Sequence, residues 1–380
     1  MMAERVNELT LKLANFLLEK DGEWISFSIS GFIAYLTLSL VSKGLQGPIK
    51  DQLLDFMICN FSIIEIPSLR IIMEHRCLNS MRMDEFYKIG SSKSAIFHSK
   101  PAFETFRQIA MEFYVTEMHD IYPTNNFLQQ NIINEWGKTL SDVPYINIFT
   151  DTFQEELSIL IISEYFARFG WKSPFHPKKT KGEIFRDKYM RIYAAEFMER
   201  VEQMMYYNDT AIGASIVYIS LQEDDTYAAV VLPHHDTNVQ QLLGRMNNQS
   251  IYKWFRDSKS HRIDLHLPKF GLVNRISLKP FLEYYKLESL FKKHESGLKS
   301  MIKGESYIND YMHVSSINVD EIGSHSISND KQPHITRISA GTIVFLVNKP
   351  FIFYLYNSKK QLILHLSVVT MPYNYKYLEK

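Results

Sequence analysis

Cysteine is nearly absent from this sequence: Cys59 and Cys77 are the whole complement of a 380-residue chain. Two residues cannot build a disulfide framework for so long a chain, which excludes a small cross-linked scaffold. They could form one bridge, but the pair reads as two reduced, partly buried thiols. Net charge is also missing. Lys+Arg and Asp+Glu both total 42, which removes any general attraction to nucleic acid or anionic membrane. Local basic clusters, Lys178-Lys179-Thr180-Lys181 and Lys292-Lys293-His294, read as solvated loops or helix ends. No apolar run is long enough to span a bilayer, since stretches such as ISGFIAYLTLSLV are broken by Ser, Thr and Gly. The opening MMAERVNELTLKLANFLLEK is charged and helix-periodic, without the continuous apolar core of a secretory signal. The expectation is a leaderless soluble protein, cytoplasmic or exported unconventionally.

Signatures of enzyme chemistry are lacking as well. There is no G-x-S-x-G elbow, no phosphate-cradling loop and no C-x-x-C. His235-Asp236 alone does not make a hydrolase triad, because no nucleophile context accompanies it. Among the thirteen histidines, His234-His235 and His261…His266 lack the i, i+4 spacing with an acidic third ligand that zinc sites display. The sequence therefore predicts no catalytic residues, no metal and no cofactor.

What is present is material for a large core, with 46% hydrophobic residues and no Gly/Ser/Pro-rich linker to divide the chain. One mixed domain over 1–380 is expected. Val6, Leu9, Leu13, Phe16 and Leu17 fall at largely helical spacing and predict an opening amphipathic helix over 3–20. The most informative stretch runs from His313 to Pro350. SSINVDEIG alternates like a strand, and GTIVFLVNKPFIFYLY is rich in β-branched and aromatic residues. Between them lie about twenty polar residues, and structureless loops longer than about 12–15 residues are usually functional or disordered. This one carries Thr336-Arg337-Ile338, a bait for a protease that cuts after arginine.

The flanks of that loop resemble the serpin family. VDEIGS resembles the family's V-D/N-E-x-G-T/S, and NKPFIFYLY its closing H/K/R-P-F-x-F pattern. The resemblance covers nearly the whole chain. ELSILIISEYFARFGWKSPFHPKKTKGEIFR carries Trp171, Pro174, Phe175, Thr180 and Phe185 at the family spacing, and Leu267-Pro268-Lys269-Phe270 is intact. NNFLQQNIINEWGKT resembles the helix that lies across the front of the main sheet and must yield during inhibition. Ser30 aligns with a serine of the shutter, where central strands separate; its alternative reading is a helix N-cap. His313 stands at the shutter histidine. The family's proline is absent near Ser28, Tyr285-Lys286 replaces the usual Gly-Met, and Ser163 replaces the shutter asparagine, which puts the shutter's bonding in doubt.

The resemblance implies an α+β serpin fold with a large central sheet, further sheets, about eight or nine helices and a reactive loop over about 322–342, followed by an extension over 373–380. It implies a suicide inhibitor of trypsin-like serine proteases, acting as a monomer, with the scissile bond between Arg337 and Ile338. The hinge would comprise Glu321, Gly323, Ser324, Ser326 and Ser328, and the breach and shutter Trp171, Ser30, Ser163 and His313. On insertion Ser324, Ser326, Ser328, Asp330 and Gln332 would face inward, and the Asp330 carboxylate would need a partner or a proton. A non-inhibitory carrier or chaperone-like serpin is the alternative. Arg70, Arg76 and Arg82 could serve a glycosaminoglycan, but Glu74, Asp84 and Glu85 are interspersed among them.

Overall fold

A computed structural model describes residues 2–22, 25–122, 125–138, 148, 156–324 and 341–372. The periodic N-terminus forms helix α1 (Met2–Asp21), with Glu4 in its first turn and Lys20 in its last, each placed favourably against the helix dipole. Strand β1 (Phe27–Ile29) leads through Ser30 into α2 (Gly31–Gly44), which is buried on almost every side, as its nearly all-round apolar surface requires. Gly31 is needed at the crossing with α1: a Cβ there would lie 2.1 Å from Thr10 Oγ1. Helices α3 (Pro48–Phe56), α4 (Pro67–Leu78) and α5 (Asp84–Tyr87) follow, the first two started by proline at the position where its missing N–H costs nothing.

Next come β2 (Gly90–His98), α6 (Glu104–Tyr114), β3 (Thr116–Asp120), α7 (Asn126–Gly137), β4 (Ile159–Ala167) and β5 (Phe169–Gly170). Strands β6 (Lys181–Arg186), β7 (Ile192–Asp209), β8 (Ala214–Ser220) and β9 (Thr226–Pro233) form antiparallel neighbours. After α8 (Val239–Arg245) and α9 (Asn248–Asp257), both opened by capping boxes, come β10 (Lys259–Pro268), β11 (Phe270–Ser277) and α10 (Lys279–Tyr284). The chain closes with β12 (Ile308–Val319), β13 (Gly323–Ser324), β14 (Ile343–Leu346), β15 (Phe351–Asn357) and β16 (Leu362–Val369). The described residues thus hold ten α-helices and two short 3-10 helices.

Two sheets organise these elements. One runs β1-β16-β15-β9-β8-β7-β10-β14 with β6 attached to β7; the other runs β3-β2-β4-β12-β13-β5 with β11 attached to β12. Alternation along β4 sends Ile159, Ile161 and Tyr165 into the main core, together with Phe32, Leu40, Trp171, Phe353 and Leu364. The intervening Leu160 and Ile162 face the other way, into a smaller cluster with Phe97, Val314 and the α7 residues Ile133 and Trp136. Helix α7 therefore covers the front of the second sheet. One expectation is corrected: Cys59 and Cys77 form a disulfide, with their Cα atoms 5.8 Å apart. Folding of α4 back over the segment after α3 brings the pair together, and a separation of 18 residues along the chain gives no hint of this.

Candidate functional site

The site lies where β4 and β12 part company. The two strands pair in parallel from Ile159↔Ile308 to Phe166↔Ser316. Beyond that point a gap opens, and the chain leaving β12 turns back into it. Asp320 makes the turn, its Oδ1 accepting from the backbone N–H groups of Ile322 (2.9 Å) and Gly323 (3.1 Å). Gly323 then adopts φ +143°, and a Cβ there would come within 2.0 Å of the Phe169 carbonyl oxygen, so only glycine fits. Ser324 follows, fully buried and antiparallel both to Val319 of β12 and to Phe169 of β5. Its hydroxyl donates to the Ala167 carbonyl at 2.7 Å and accepts from the Asn318 N–H at 3.2 Å. The first residues of the loop already occupy the mouth of a gap that is zipped shut below.

Trp171 and Glu321 hold the top of this opening. The Trp171 indole donates to the Asp320 carbonyl at 2.8 Å, and its backbone N–H to that of Ile322 at 3.0 Å. Its ring stacks edge-on against Phe169 and Phe175. Glu321 Oε1 receives Lys269 Nζ at 2.7 Å and the Thr180 hydroxyl at 2.6 Å. Desolvation pushes the Glu321 carboxyl up, but those two donors outweigh it and hold the group below the usual carboxylate range.

Below lies the polar patch that the sequence assigns to the shutter. Ser30 does two things at once: its hydroxyl accepts from the Ile33 N–H as the N-cap of α2, and its backbone N–H donates to His313 Nε2 at 3.1 Å. Ser163 pairs with His313 across the β4–β12 register. Its hydroxyl, however, engages Thr37 (3.1 Å), Tyr311 (3.3 Å) and Ser94 (3.3 Å). His313 Nδ1 is left with no hydrogen-bond partner. Burial drives the His313 ring down to about 3, so it is neutral. A second buried histidine, His365, receives the Tyr165 hydroxyl at its Nδ1 side (3.2 Å), meets Ser367 at Nε2 (2.8 Å), and is also lowered to about 3 by burial and by His313.

Several of these residues escaped sequence reasoning. Asn274 of β11 takes both the N–H and the hydroxyl of Ser28, which also meets Ser315 at 2.9 Å. A signal existed: Phe270, Leu272 and Asn274 alternate onto one buried face, and a lone Asn there demands partners. On the front face Glu164, flanked across the strands by Lys93 and Val314 and lying under Gly137 of α7, has neither carboxylate oxygen hydrogen-bonded, and burial pushes its carboxyl up to about 8 against the pull of Lys93. Arg70 folds back on the carbonyls of Ser62 and Ile64 rather than facing outward as part of a basic stripe. Ser326, Ser328, Asp330, Gln332, Arg337 and Ile338 lie outside the described residues, as does the extension over 373–380.

A mixed sheet in which the two-residue β13 lies between β12 and β5, above the β4–β12 ladder, is the geometry of the site. The family model described as "Serpin (serine protease inhibitor)" matches residues 4–372. The chain belongs to the serpin family. It is 21% identical over 281 residues to human antithrombin-III, covering 71% of this chain and 59% of that protein, and so spans less than two thirds of that relative's length. It is 22% identical over 278 residues to mouse neuroserpin, covering 71% of this chain and 67% of that protein. Human thyroxine-binding globulin, solved in complex with thyroxine, superposes with a TM-score of 0.86 at 14% identity, over 98% of this chain and 99% of that one. Serpin architecture is thus compatible with carriers as well as protease inhibitors.

Proposed function

We propose that this protein is a suicide inhibitor of a trypsin-like serine protease, acting by insertion of its reactive loop. The observation that carries the proposal is the placement of Ser324: the loop's first pairing residue already sits, fully buried, between β12 and β5. Arg337 enters the protease's specificity pocket, where a buried carboxylate binds its guanidinium. The protease serine attacks the Arg337 carbonyl, releases the chain that starts at Ile338, and becomes an ester. The freed segment then continues the strand that Ser324 begins. Insertion breaks one parallel ladder, β4 to β12, and makes two antiparallel ladders in its place, a net gain in backbone pairing. Fourteen residues from Ser324 to Arg337, at about 3.3 Å each, carry the acylated enzyme about 46 Å from its docking place before water completes hydrolysis.

The Cys59–Cys77 disulfide supports an oxidising, extracellular setting for this encounter over the cytoplasm. The test is incubation with trypsin. The expected result is a complex that survives SDS, with a released fragment whose mass begins at Ile338. A clipped chain with no complex, melting no higher than the intact protein, would instead place this serpin among carriers.

A further inference from the structure

Away from the loop, on the sheet that anchors its far end, four side chains converge in a way the proposed inhibition does not use. β10 carries Asp264 and His266 two residues apart, on one face of the strand. His266 pairs directly with Glu199 of β7. One donor atom from each of Glu199, Asp264 and His266 lies within 4.8 Å of the other two. Asp264 is only 4% exposed, and its Oδ1 accepts no hydrogen bond. That oxygen stands 3.4 Å from His266 Nε2. The other ring nitrogen, Nδ1, faces Glu183 Oε1 of β6 at 3.5 Å.

We propose that Glu199, Asp264 and His266 form a zinc site, with Glu183 as the partner that orients the imidazole. A buried carboxylate oxygen without a donor is costly unless it is paired or binds a cation. Ligands about 2.0–2.1 Å from a tetrahedral zinc stand about 3.3 Å from one another, and the 3.4 Å between Asp264 Oδ1 and His266 Nε2 matches that edge. A metal-bound histidine usually gives its other N–H to a carboxylate, which is the place Glu183 takes. The imidazole favours zinc over calcium or magnesium, which prefer all-oxygen shells. A competing cation is Lys181, whose Nζ is 3.2 Å from Glu199 Oε2; its side chain is 65% exposed and can swing into solvent. Three protein ligands leave a fourth position for water. The metal would tie β7 to β10, on which the loop's exit strand β14 is laid through Asp264↔Val344 and His266↔Leu346.

The test is titration of the intact full-length protein with zinc against a chromophoric chelator. One zinc per chain is expected, with Co2+ giving the intense visible absorption of a tetrahedral site. His266→Ala and Asp264→Asn should each weaken binding at least 100-fold, and Glu183→Gln about 10-fold. Lys181→Ala should tighten binding. Because Asp264→Asn preserves shape, it tests the site even if His266→Ala fails to fold. No uptake by the wild-type protein overturns the proposal. So does unchanged affinity in Asp264→Asn, even with a loss in His266→Ala, because a lone surface histidine binds zinc without a buried carboxylate.

Discussion

The backbone N–H of Ser30 donates to His313 Nε2 at 3.1 Å, which fixes the remaining proton of this neutral ring on Nδ1, where no acceptor meets it. Ser163 is the neighbour across the strand register, but its short hydroxyl turns to Thr37 and Tyr311 instead. Ser163→Asn should bring a carbonyl oxygen toward that orphan donor. An unsatisfied buried donor costs about 1–3 kcal/mol, so the variant should gain about 1 kcal/mol after losing the Thr37 contact. A rise in the urea midpoint at unchanged slope is the expected reading; a fall would show that the pocket cannot admit the longer side chain.

His313 and His365 are buried and depressed to about 3 from an ordinary 6.5. The unfolded chain takes up protons below about pH 6.5 that the folded one refuses. Their stabilising contribution is therefore fully present above pH 6.5 and declines as pH falls toward 3, each with a slope of up to about 1.4 kcal/mol per pH unit. Denaturant midpoints measured from pH 7 to pH 4 should drop, and His365→Gln should flatten the curve. An equal drop in that variant would assign the acid sensitivity to other groups.

Glu164 has the opposite sign. Its folded carboxyl is raised to about 8 from 4.5, so the folded state holds a proton that the unfolded state has released. Its contribution is fully present below pH 4.5 and is lost as pH rises toward 8. Lys93 is the charged group facing it from β2; that ammonium also donates to the Trp136 carbonyl at 3.2 Å and lies 3.6 Å from Glu117. β12 offers Val314 and α7 offers Gly137, neither of them charged. Glu164→Gln should be more stable than the parent at pH 8 and close to it at pH 4.5, by chemical denaturation. A variant that loses stability equally at both would show that the carboxylate is ionised and paired.

At the hinge, Ser324 has no room to grow, being enclosed by Ala167, Asn318 and Phe169. Ser324→Arg should leave the loop unable to enter the gap, so trypsin would cleave it without forming a stable complex. Inhibition stoichiometry is the readout, and an unchanged value would mean that insertion is not the mechanism.

The Cys59–Cys77 bridge closes a segment of 18 residues. Loops of about this size lose roughly 3 kcal/mol of stability when the link is removed. Cys59→Ala/Cys77→Ala should lower the denaturation midpoint accordingly, with no change in the behaviour of the hinge, and reducing agent should act on the wild-type protein alone.

The α+β architecture was legible because its signals are local and repeated. Helical spacing over 3–20 and alternation in SSINVDEIG reappear as α1 and β12, and the Trp171-to-Phe185 stretch carries the buried Trp171 against Asp320. The short pattern VDEIGS contains Gly323, which has a positive φ and a close carbonyl. The disulfide was misread because pairing depends on how α4 docks. Asn274, Thr37 and His365 were missed because a buried polar residue looks the same in sequence as an exposed one. His266 was passed over for lacking a helical i, i+4 partner, whereas a strand's period of two sets Asp264 beside it and the sheet supplies Glu199.

By itself, then, the sequence determined the family and the α+β fold class, since these follow from spacing along one chain. Tertiary structure alone decided which polar groups are satisfied. His313 keeps an unpaired Nδ1, Glu164 is buried without a donor, and Asp264 faces His266, because each depends on distances between strands far apart in the chain. Hydrogen bonds and ion pairs act over a few ångströms in space, and only packing turns residue order into such distances.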